Sequence, residues 1–196
     1  VGGSAADTFT VTLEAGAGDG ITAAGGADII QTNTTTAATI SPVTVTDFNP
    51  GTIATTVDIA KMSLTALKGL TTVTDVVDTG ANSAANTNNT VVILTADNQT
   101  PAAADLVVLS QVYASDAAAL AGMATAGSDT FVTTALTDND AVMVAYYTGS
   151  ATHIAAAVTA SSSTSSDAFD SVETVFILSG VDARATFADG DFVLIT

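Results

Sequence analysis

The sequence predicts an all-β protein in which a short N-terminal parallel β-roll continues into a β-sandwich or solenoid-like stack, with one or two short helices. A unit of small residues, an acid and a large apolar residue recurs near the N-terminus, as expected for stacked turns. Threonine and valine, which favour strands, are abundant throughout. Because 47% of the residues are hydrophobic, the composition is not that of a disordered chain.

The recurring unit reads GGSAADTFT at 2–10, EAGAGDGIT at 14–22 and AAGGADIIQ at 23–31. Asp7, Asp19 and Asp28 take the same position in the three units, and a large apolar residue follows two positions later. Glycine and alanine permit tight turns whose carbonyls point inward. Stacked turns would bring carbonyl and carboxylate oxygens together, and Ca²⁺ prefers such ligands. Ordinary Gly- and Asp-rich turns between strands are the alternative.

These units resemble the nonapeptide G-G-x-G-x-D-x-U-x of RTX (repeats-in-toxin) proteins. The residues that match are Gly2, Gly3, Asp7 and Phe9 in the first unit, Asp19 and Ile21 in the second, and Gly26, Asp28 and Ile30 in the third. Alanine replaces glycine at Ala5, Ala23 and Ala24, and Asp7 lies twelve residues before Asp19, so the repeats are degenerate. The resemblance implies that Asp7, Asp19 and Asp28 are calcium ligands.

The segment 45–67 resembles the module that follows β-rolls in RTX proteins. It has a strand ending in Asp47-Phe48, the turn Asn49-Pro50-Gly51, and an Asp-Ile run that begins at Asp58. By this resemblance, Asp47 and Asp58 complete a calcium site at the end of the roll. The alternative is that both aspartates are turn and capping residues.

The C-terminal segment is similar to the end of bacterial proteins that are exported by type I secretion. Such ends have a strand, a Leu-x-Gly-Val turn and a terminal Asp-Phe-Val-Leu. The corresponding residues are Leu178, Gly180, Val181, Asp191, Phe192, Val193 and Leu194. The resemblance implies that Asp191, Phe192, Val193 and Leu194 form part of an uncleaved secretion signal.

Alternation, turn residues and caps predict the remaining elements. Strands are expected at 8–13, 39–46, 73–77, 90–95, 130–135, 141–148, 152–159, 172–178 and 191–195, with loops at 33–38, 78–89 and 161–166. Ser115-Asp116 caps a helix that ends near Gly127, and Gly149-Ser150 joins two strands in a hairpin. Residues 102–112 receive no assignment. We expect calcium-binding repeats in 1–46 and a β-rich assembly or secretion domain in 47–196.

The charge balance argues against two classes of binding partner. Twenty acids and three Lys or Arg residues give a net charge of −17, which disfavours nucleic acid and anionic membranes. No apolar run is long enough for a transmembrane helix, and no signal peptide begins the chain. There is no cysteine, so core packing, metal or assembly must stabilise an extracellular form. We expect the chain to be a fragment or mature product of a longer protein.

The sequence carries no recognisable catalytic motif, and we predict that the chain is not an enzyme. His153 is the single histidine and lies within a predicted strand, where it is expected to be a surface or packed residue. The acid pairs Asp138/Asp140 and Asp189/Asp191 are expected to be solvated turn acids or peripheral calcium ligands rather than acid–base dyads.

Three functions are compatible with these observations. The favoured one is a calcium-stabilised, self-associating subunit of a secreted bacterial surface assembly, either an S-layer lattice or an extracellular filament, exported by type I machinery. The alternative is a non-catalytic export and folding module of a larger secreted enzyme, toxin or adhesin. An adhesin module would need a ligand-binding platform, and the sequence shows no aromatic cluster for one.

Overall fold

A computed structural model of the chain describes residues 1–35, 40–51, 57–70, 73, 75–76, 89–101, 103–160 and 163–195. Within these residues the fold is largely β, with three short α-helices. The strands are β1 Thr8–Leu13, β2 Gly20–Thr22, β3 Ile29–Thr35, β4 Val43–Thr46, β5 Ile59–Ser63, β6 Asp75–Val76, β7 Val91–Ile93, β8 Leu106–Val112, β9 Val132–Leu136, β10 Asp140–Tyr147, β11 Ala151–Thr159, β12 Ser163–Ser165, β13 Phe169–Ser179 and β14 Phe192–Ile195. The helices are α1 Leu64–Lys68, α2 Asp116–Met123 and α3 Ala183–Thr186, and a 3₁₀ turn spans Ser166–Ala168.

The strands form two main sheets. The smaller has four strands in the order β1-β3-β5-β14, and all its neighbours are parallel. The larger has the order β2-β4-β13-β11-β10-β8-β7, and β6 also pairs with β10. It is parallel except for β10-β11 and β11-β13. A separate antiparallel ribbon joins β9 to β12.

The first five strands alternate between the two sheets. β1, β3 and β5 belong to the smaller sheet, whereas β2 and β4 belong to the larger one. Each return to a sheet places the new strand parallel to the strand two before it. We call each pass through both sheets a coil. The smaller sheet continues across the predicted boundary between residues 46 and 47, since β5 pairs with β3.

The larger sheet is buried on both faces, and β10 shows this most clearly. Ala141, Met143 and Ala145 belong to a hydrophobic cluster that both main sheets share. The residues between them belong to a second cluster, which contains residues of α2 and β9. The protein therefore has three layers: the smaller sheet, the larger sheet, and a cover that includes α2.

Several predicted elements agree with the structure. β1 covers the predicted strand at 8–13, and β10 and β11 form the hairpin across Gly149-Ser150. Ser115 caps α2, because its side chain accepts the amide of Ala118. The helix ends at Met123 rather than near Gly127, since the amides of Thr125 and Asp129 both turn back to the carbonyl of Gly122.

Other predictions were wrong or too long. Residues 33–35 belong to β3 instead of a loop, and the serine-rich loop contains β12, because pairing with β1 and β9 overrides their polar composition. The unassigned segment contains β8, whose run LVVL is buried on both faces and has no alternation to detect. The predicted strand at 90–95 shortens to β7, and the described parts of the predicted strands at 39–46 and 73–77 contain β4 and β6. Most of the predicted loop at 78–89 lies outside the described residues.

Candidate functional site

An aspartate immediately precedes every strand of the smaller sheet. These residues, which we call the aspartate ladder, are Asp7, Asp28, Asp58 and Asp191. Parallel pairing aligns Thr8 with Ile29 and Ile29 with Ile59, so the first three aspartates stand side by side at one end of the sheet. The repeat gave Asp7, Asp19 and Asp28 the same position; the structure aligns Asp7 with Asp28, whereas Asp19 precedes β2 of the larger sheet.

The carboxylates of the ladder connect neighbouring coils through main-chain amides. The amide of Asp7 donates to Oδ1 of Asp28 at 2.7 Å, and the amide of Asp28 donates to Oδ1 of Asp58 at 2.9 Å. Oδ2 of Asp58 also accepts the amide of Asn49 at 2.8 Å. Hydrogen bonds of amides to a charged acceptor are stronger than neutral ones. Asp28 and Asp58 thus each bind the coil before their own.

Asp191 is the fourth member of the ladder and joins the C-terminal strand to the coils. Its side chain is buried, and both carboxylate oxygens lie 3.1 Å from the amide of Gly51. Oδ2 also accepts the amide of Ala188 at 2.8 Å. The resemblance suggested that Asp191 belongs to a secretion signal. In the folded chain its carboxylate ties the turn at Gly51 to β14.

Two aspartates of the ladder, Asp58 and Asp191, are harder to ionise than a free aspartate. Burial raises the pKa of Asp58 above its ordinary value, and the negative charges of Asp28 and Asp47 raise it further, while the two amide bonds act in the opposite direction. Burial likewise raises the pKa of Asp191 against its amide bonds. A positive ion near Asp58 would favour its charged form and so oppose the rise in its pKa.

One ladder oxygen is buried without a hydrogen bond. Oδ2 of Asp28 has no partner in the part of the chain that the structure describes, and Asp28 is only 1% exposed. A buried carboxylate oxygen without a partner is costly, and a hard cation would satisfy it. This oxygen therefore fits the calcium ion that the RTX resemblance implies.

Two of the five predicted calcium ligands, Asp19 and Asp47, lie outside the ladder. Asp47 is exposed and accepts the amides of Ala23 and Ala24, at 2.9 Å and 3.1 Å. Asp19 is exposed on the side of the larger sheet, where its carbonyl accepts the amide of Thr44. Within the described ranges, no group of three or more His, Asp or Glu side chains is arranged to hold a metal. A cation at Asp28 would need carbonyls and water as further ligands.

One acid of each predicted turn pair, Asp140 and Asp191, is buried instead of solvated. Asp140 is 3% exposed, and its Oδ2 accepts the amide and hydroxyl of Thr137. Asp189 accepts the amide of Val91 at 2.9 Å. Asp138 and Asp189 are the exposed members of the two pairs, as the sequence predicted.

Two further carboxylates, the buried Asp129 and the partly buried Asp116, accept hydrogen bonds that the sequence did not indicate. Asp129 follows α2 and accepts four hydrogen bonds, from the amide and hydroxyl of Ser110, the amide of Gln111 and the hydroxyl of Tyr113. Asp116 accepts the hydroxyls of Tyr146 and Thr174, each at 2.5 Å. Burial, and then the neighbouring carboxylate, raise the pKa of Tyr113 and of Tyr146. No local pattern marks these contacts, because their partners lie on distant strands.

His153 lies beside this second group. Its Nδ1 is 3.1 Å from the hydroxyl of Tyr146 and 3.3 Å from that of Thr174. Burial lowers the pKa of His153, and the charge of Asp116 opposes the shift. The ring packs against Tyr146 with centroids 5.0 Å apart. His153 is thus a partly buried residue of a polar network beneath α2.

The predicted secretion-signal residues Phe192, Val193 and Leu194 form most of β14. Phe192 and Leu194 are buried in the core that the two sheets share, and Val193 is half-buried. β14 pairs with β5 in parallel. Folding therefore incorporates this segment into the smaller sheet.

Comparisons with known proteins found no matching family model, no matching curated protein and no matching solved structure. None of the helices in the described ranges has the length and hydropathy needed to cross a membrane.

Proposed function

We propose that this chain is a non-catalytic structural subunit of a secreted bacterial cell-surface assembly, either an S-layer or an extracellular filament. In this proposal calcium stabilises the chain, which associates with copies of itself. The observation that carries the proposal is the aspartate ladder with its buried, unpartnered oxygen on Asp28. The ladder's carboxylates are committed to main-chain amides, which is a structural use of acids rather than an acid–base one.

The proposal includes a short parallel β-roll formed by β1 to β5. Its support is the alternation of these strands between the two sheets. Close stacking of the turns adds to it, since a Cβ on Gly26 would lie 2.4 Å from the carbonyl oxygen of Ala5. Gly26 also has φ +131°, a conformation that favours glycine.

Calcium has a defined place in this proposal. Asp28 would supply Oδ2, and Asp7 and Asp58 flank it in the ladder, each with carboxylate lone pairs beyond those that accept amides. Bound calcium would neutralise charge where the pKa of Asp58 is raised by burial and by neighbouring carboxylates. The ion would thereby strengthen the stacking of successive coils.

An extracellular location agrees with the composition. A chain without cysteine is not stabilised by disulfides, so metal and assembly take that role outside the cell. A net charge of −17 makes copies repel one another, and divalent cations or salt would reduce that repulsion.

The test is thermal unfolding and sedimentation velocity with CaCl₂ or with EGTA, on the wild type and Asp28→Asn. Calcium at about one hundred times its Kd stabilises by about 2.7 kcal/mol, or roughly 5–10 °C in Tm for a chain of this size. The wild type should show this shift and form larger particles. Asp28→Asn should lose most of the shift, whereas Asp170→Asn, which neutralises an exposed acid, should retain it. Equal calcium responses in both variants would contradict a site at Asp28.

The export-module alternative is supported by β14. Its residues match the secretion-signal resemblance, and folding buries two of them, so an export receptor would have to recognise them before folding. This alternative expects calcium to stabilise a species that remains monomeric at every concentration. The same sedimentation experiment therefore separates the two functions.

A further inference from the structure

A cavity of about 280 Å³ lies on the outer face of the smaller sheet, at the end that carries the aspartate ladder. Ile30 and Ala60 are buried in the core that both main sheets share. Because side chains alternate along a strand, those of Ile29 and Ile59 project from the opposite face. Both of these isoleucines line the cavity. The sheet itself therefore separates the cavity from the shared core.

Aliphatic side chains from two neighbouring coils form the floor of the cavity. Ala27 and Ile29 come from one coil, and Val57 and Ile59 come from the next. Parallel pairing places Ile29 beside Ile59. All four residues are only partly buried, so the cavity leaves apolar surface in contact with water. A ligand with an apolar body would remove that surface from water.

The wall of the cavity beside β14 is acidic. It is formed by the turn at 189–191, which leads into β14, together with Gly51. The carboxylate of Asp191 is already bound by the amide of Gly51. Asp189 is exposed, and its Oδ1 accepts the amide of Val91, which leaves Oδ2 for a ligand.

The charges around the cavity favour a cation. Within the described part of the chain, the lining contains no lysine, arginine or histidine. Lys61 follows Ile59 by two residues on the same face of β5, but it does not line the cavity. The chain carries a net charge of −17, which attracts cations and repels anions. An apolar floor beside a carboxylate thus favours a ligand that is both aliphatic and positively charged.

We propose that this cavity binds an aliphatic ammonium ion, with the hydrocarbon chain on the four floor residues and the ammonium group at Asp189. The inference goes beyond the proposed structural function and does not depend on it. The volume lies just below the usual range for small-molecule sites, which suits a short chain such as that of a lysine side chain. Either a free amine or a lysine of a peptide presents this group.

The test is a titration of the full chain in EGTA with n-pentylammonium, n-pentanol and pentanoate, which share a chain length and differ in charge. Isothermal titration calorimetry gives each Kd, and methyl NMR with labelled isoleucine reports the position of the probe. Pentylammonium should bind tightest and shift the methyl signals of Ile29 and Ile59, while Ile154 in the larger sheet stays unchanged. From ethylammonium to pentylammonium, each methylene should tighten binding about three- to fourfold. N-acetyl-lysine methylamide tests whether a peptide can present the same group.

Two variants separate the charge from the apolar floor. Asp189→Asn keeps an oxygen for the amide of Val91 and removes the charge, so the Kd of pentylammonium should rise about threefold while that of pentanol stays the same. Ala27→Leu fills part of the cavity and should raise both Kd values at least about tenfold. Asp170→Asn removes an exposed acid of β13 and is the matched control, with an unchanged Kd.

Several outcomes would overturn the inference. Pentylammonium that does not bind, or binds equally well to Ala27→Leu, would show that the cavity is not its site. Tighter binding of pentanoate would assign the cavity to an anion beside Lys61. Methyl shifts spread over the whole molecule would show nonspecific attraction of cations to an acidic surface. If Ala27→Leu does not fold, the shifts of Ile29 and Ile59 in the wild type still decide the question.

The experiment is independent of the proposed calcium site. Because the titration is done in EGTA, absence of amine binding leaves the calcium response of the wild type and Asp28→Asn to be judged separately. A chain that binds pentylammonium but gains no stability with calcium would retain the cavity and lose the proposed calcium site.

Discussion

The coils of β1 to β5 and the sheet region of β8, β10, β11 and β13 use buried and partly buried aspartates in different ways. In the coils, Asp28 and Asp58 accept main-chain amides of the neighbouring coil. In the sheet region, Asp129 and Asp116 also accept side-chain hydroxyls, from Ser110, Tyr113, Tyr146 and Thr174. The first arrangement requires one specific residue per coil, whereas the second requires several residues that are distant in sequence.

The two regions also differ in how their strands are packed. β1 has one buried face and one exposed face, as its alternating burial shows. β10 and β11 are buried on both faces between two hydrophobic clusters. A polar group between two apolar layers must be fully paired, because no water can replace a missing partner. We therefore expect substitutions in the sheet region to cost more stability than comparable substitutions in the coils.

The largest effect should come from Asp129→Ala. This change leaves the amides of Ser110 and Gln111 and the hydroxyl of Tyr113 without their acceptor in a buried site. We expect a loss of about 4 kcal/mol in the free energy of unfolding, measured by urea denaturation. Asp138→Ala, which removes an exposed acid, should cost no more than about 0.5 kcal/mol. A small loss for Asp129→Ala would remove the distinction between the two regions.

The next effect tests the stacking of the coils. Gly26→Ala should destabilise the chain by about 2–3 kcal/mol, because Gly26 has φ +131° and an added Cβ would contact the carbonyl of Ala5. Gly25→Ala is the matched control, since a Cβ there meets no heavy atom within 4 Å. Differential scanning calorimetry of the two variants measures the difference. Equal melting temperatures would argue against close stacking at Gly26.

A smaller, pH-dependent effect is expected in the ladder. The folded pKa of Asp58 is raised, so its contribution to stability is complete at low pH and is partly lost as the pH rises through that pKa. Asp58→Asn should therefore cost about 1–2 kcal/mol below pH 4 and less at pH 7. Urea denaturation in EGTA at both pH values checks this. A cost that grows with pH would show that Asp58 is stabilised as a charged group.

The smallest effect is expected at His153. Its folded pKa is lowered, so the folded state is fully stable above the unfolded pKa and loses stability as the pH falls through the folded pKa. We expect this loss to be the smallest of the four, because the charge of Asp116 opposes the lowering of the pKa by burial. In His153→Gln this part of the pH dependence should disappear between pH 7 and pH 5, while Asp58→Asn should retain it. NMR titration of the imidazole measures the pKa directly.

Part of the fold and site could be predicted because their determinants are local. β1 follows from alternation, the hairpin from Gly149-Ser150, and the start of α2 from Ser115. The alignment of Asp7 with Asp28 follows from the repeat. Asp191 shares with Asp58 the pattern of an acid followed by a large apolar strand residue, so its place in the ladder was also detectable. Asp129 and Asp116 were not, since nothing near them in sequence indicates their partners.

The sequence by itself determined that the chain is largely β, that units of small residues and an aspartate recur near its N-terminus, and that acids far outnumber bases. These properties depend on composition and on residues that are close along the chain. Only the tertiary structure decided that β14 joins the sheet of β1, that β8 lies between β10 and β7, and that Oδ2 of Asp28 is buried without a partner among the described residues. Those outcomes depend on pairing between segments far apart in sequence, and local propensity carries no information about which segments meet.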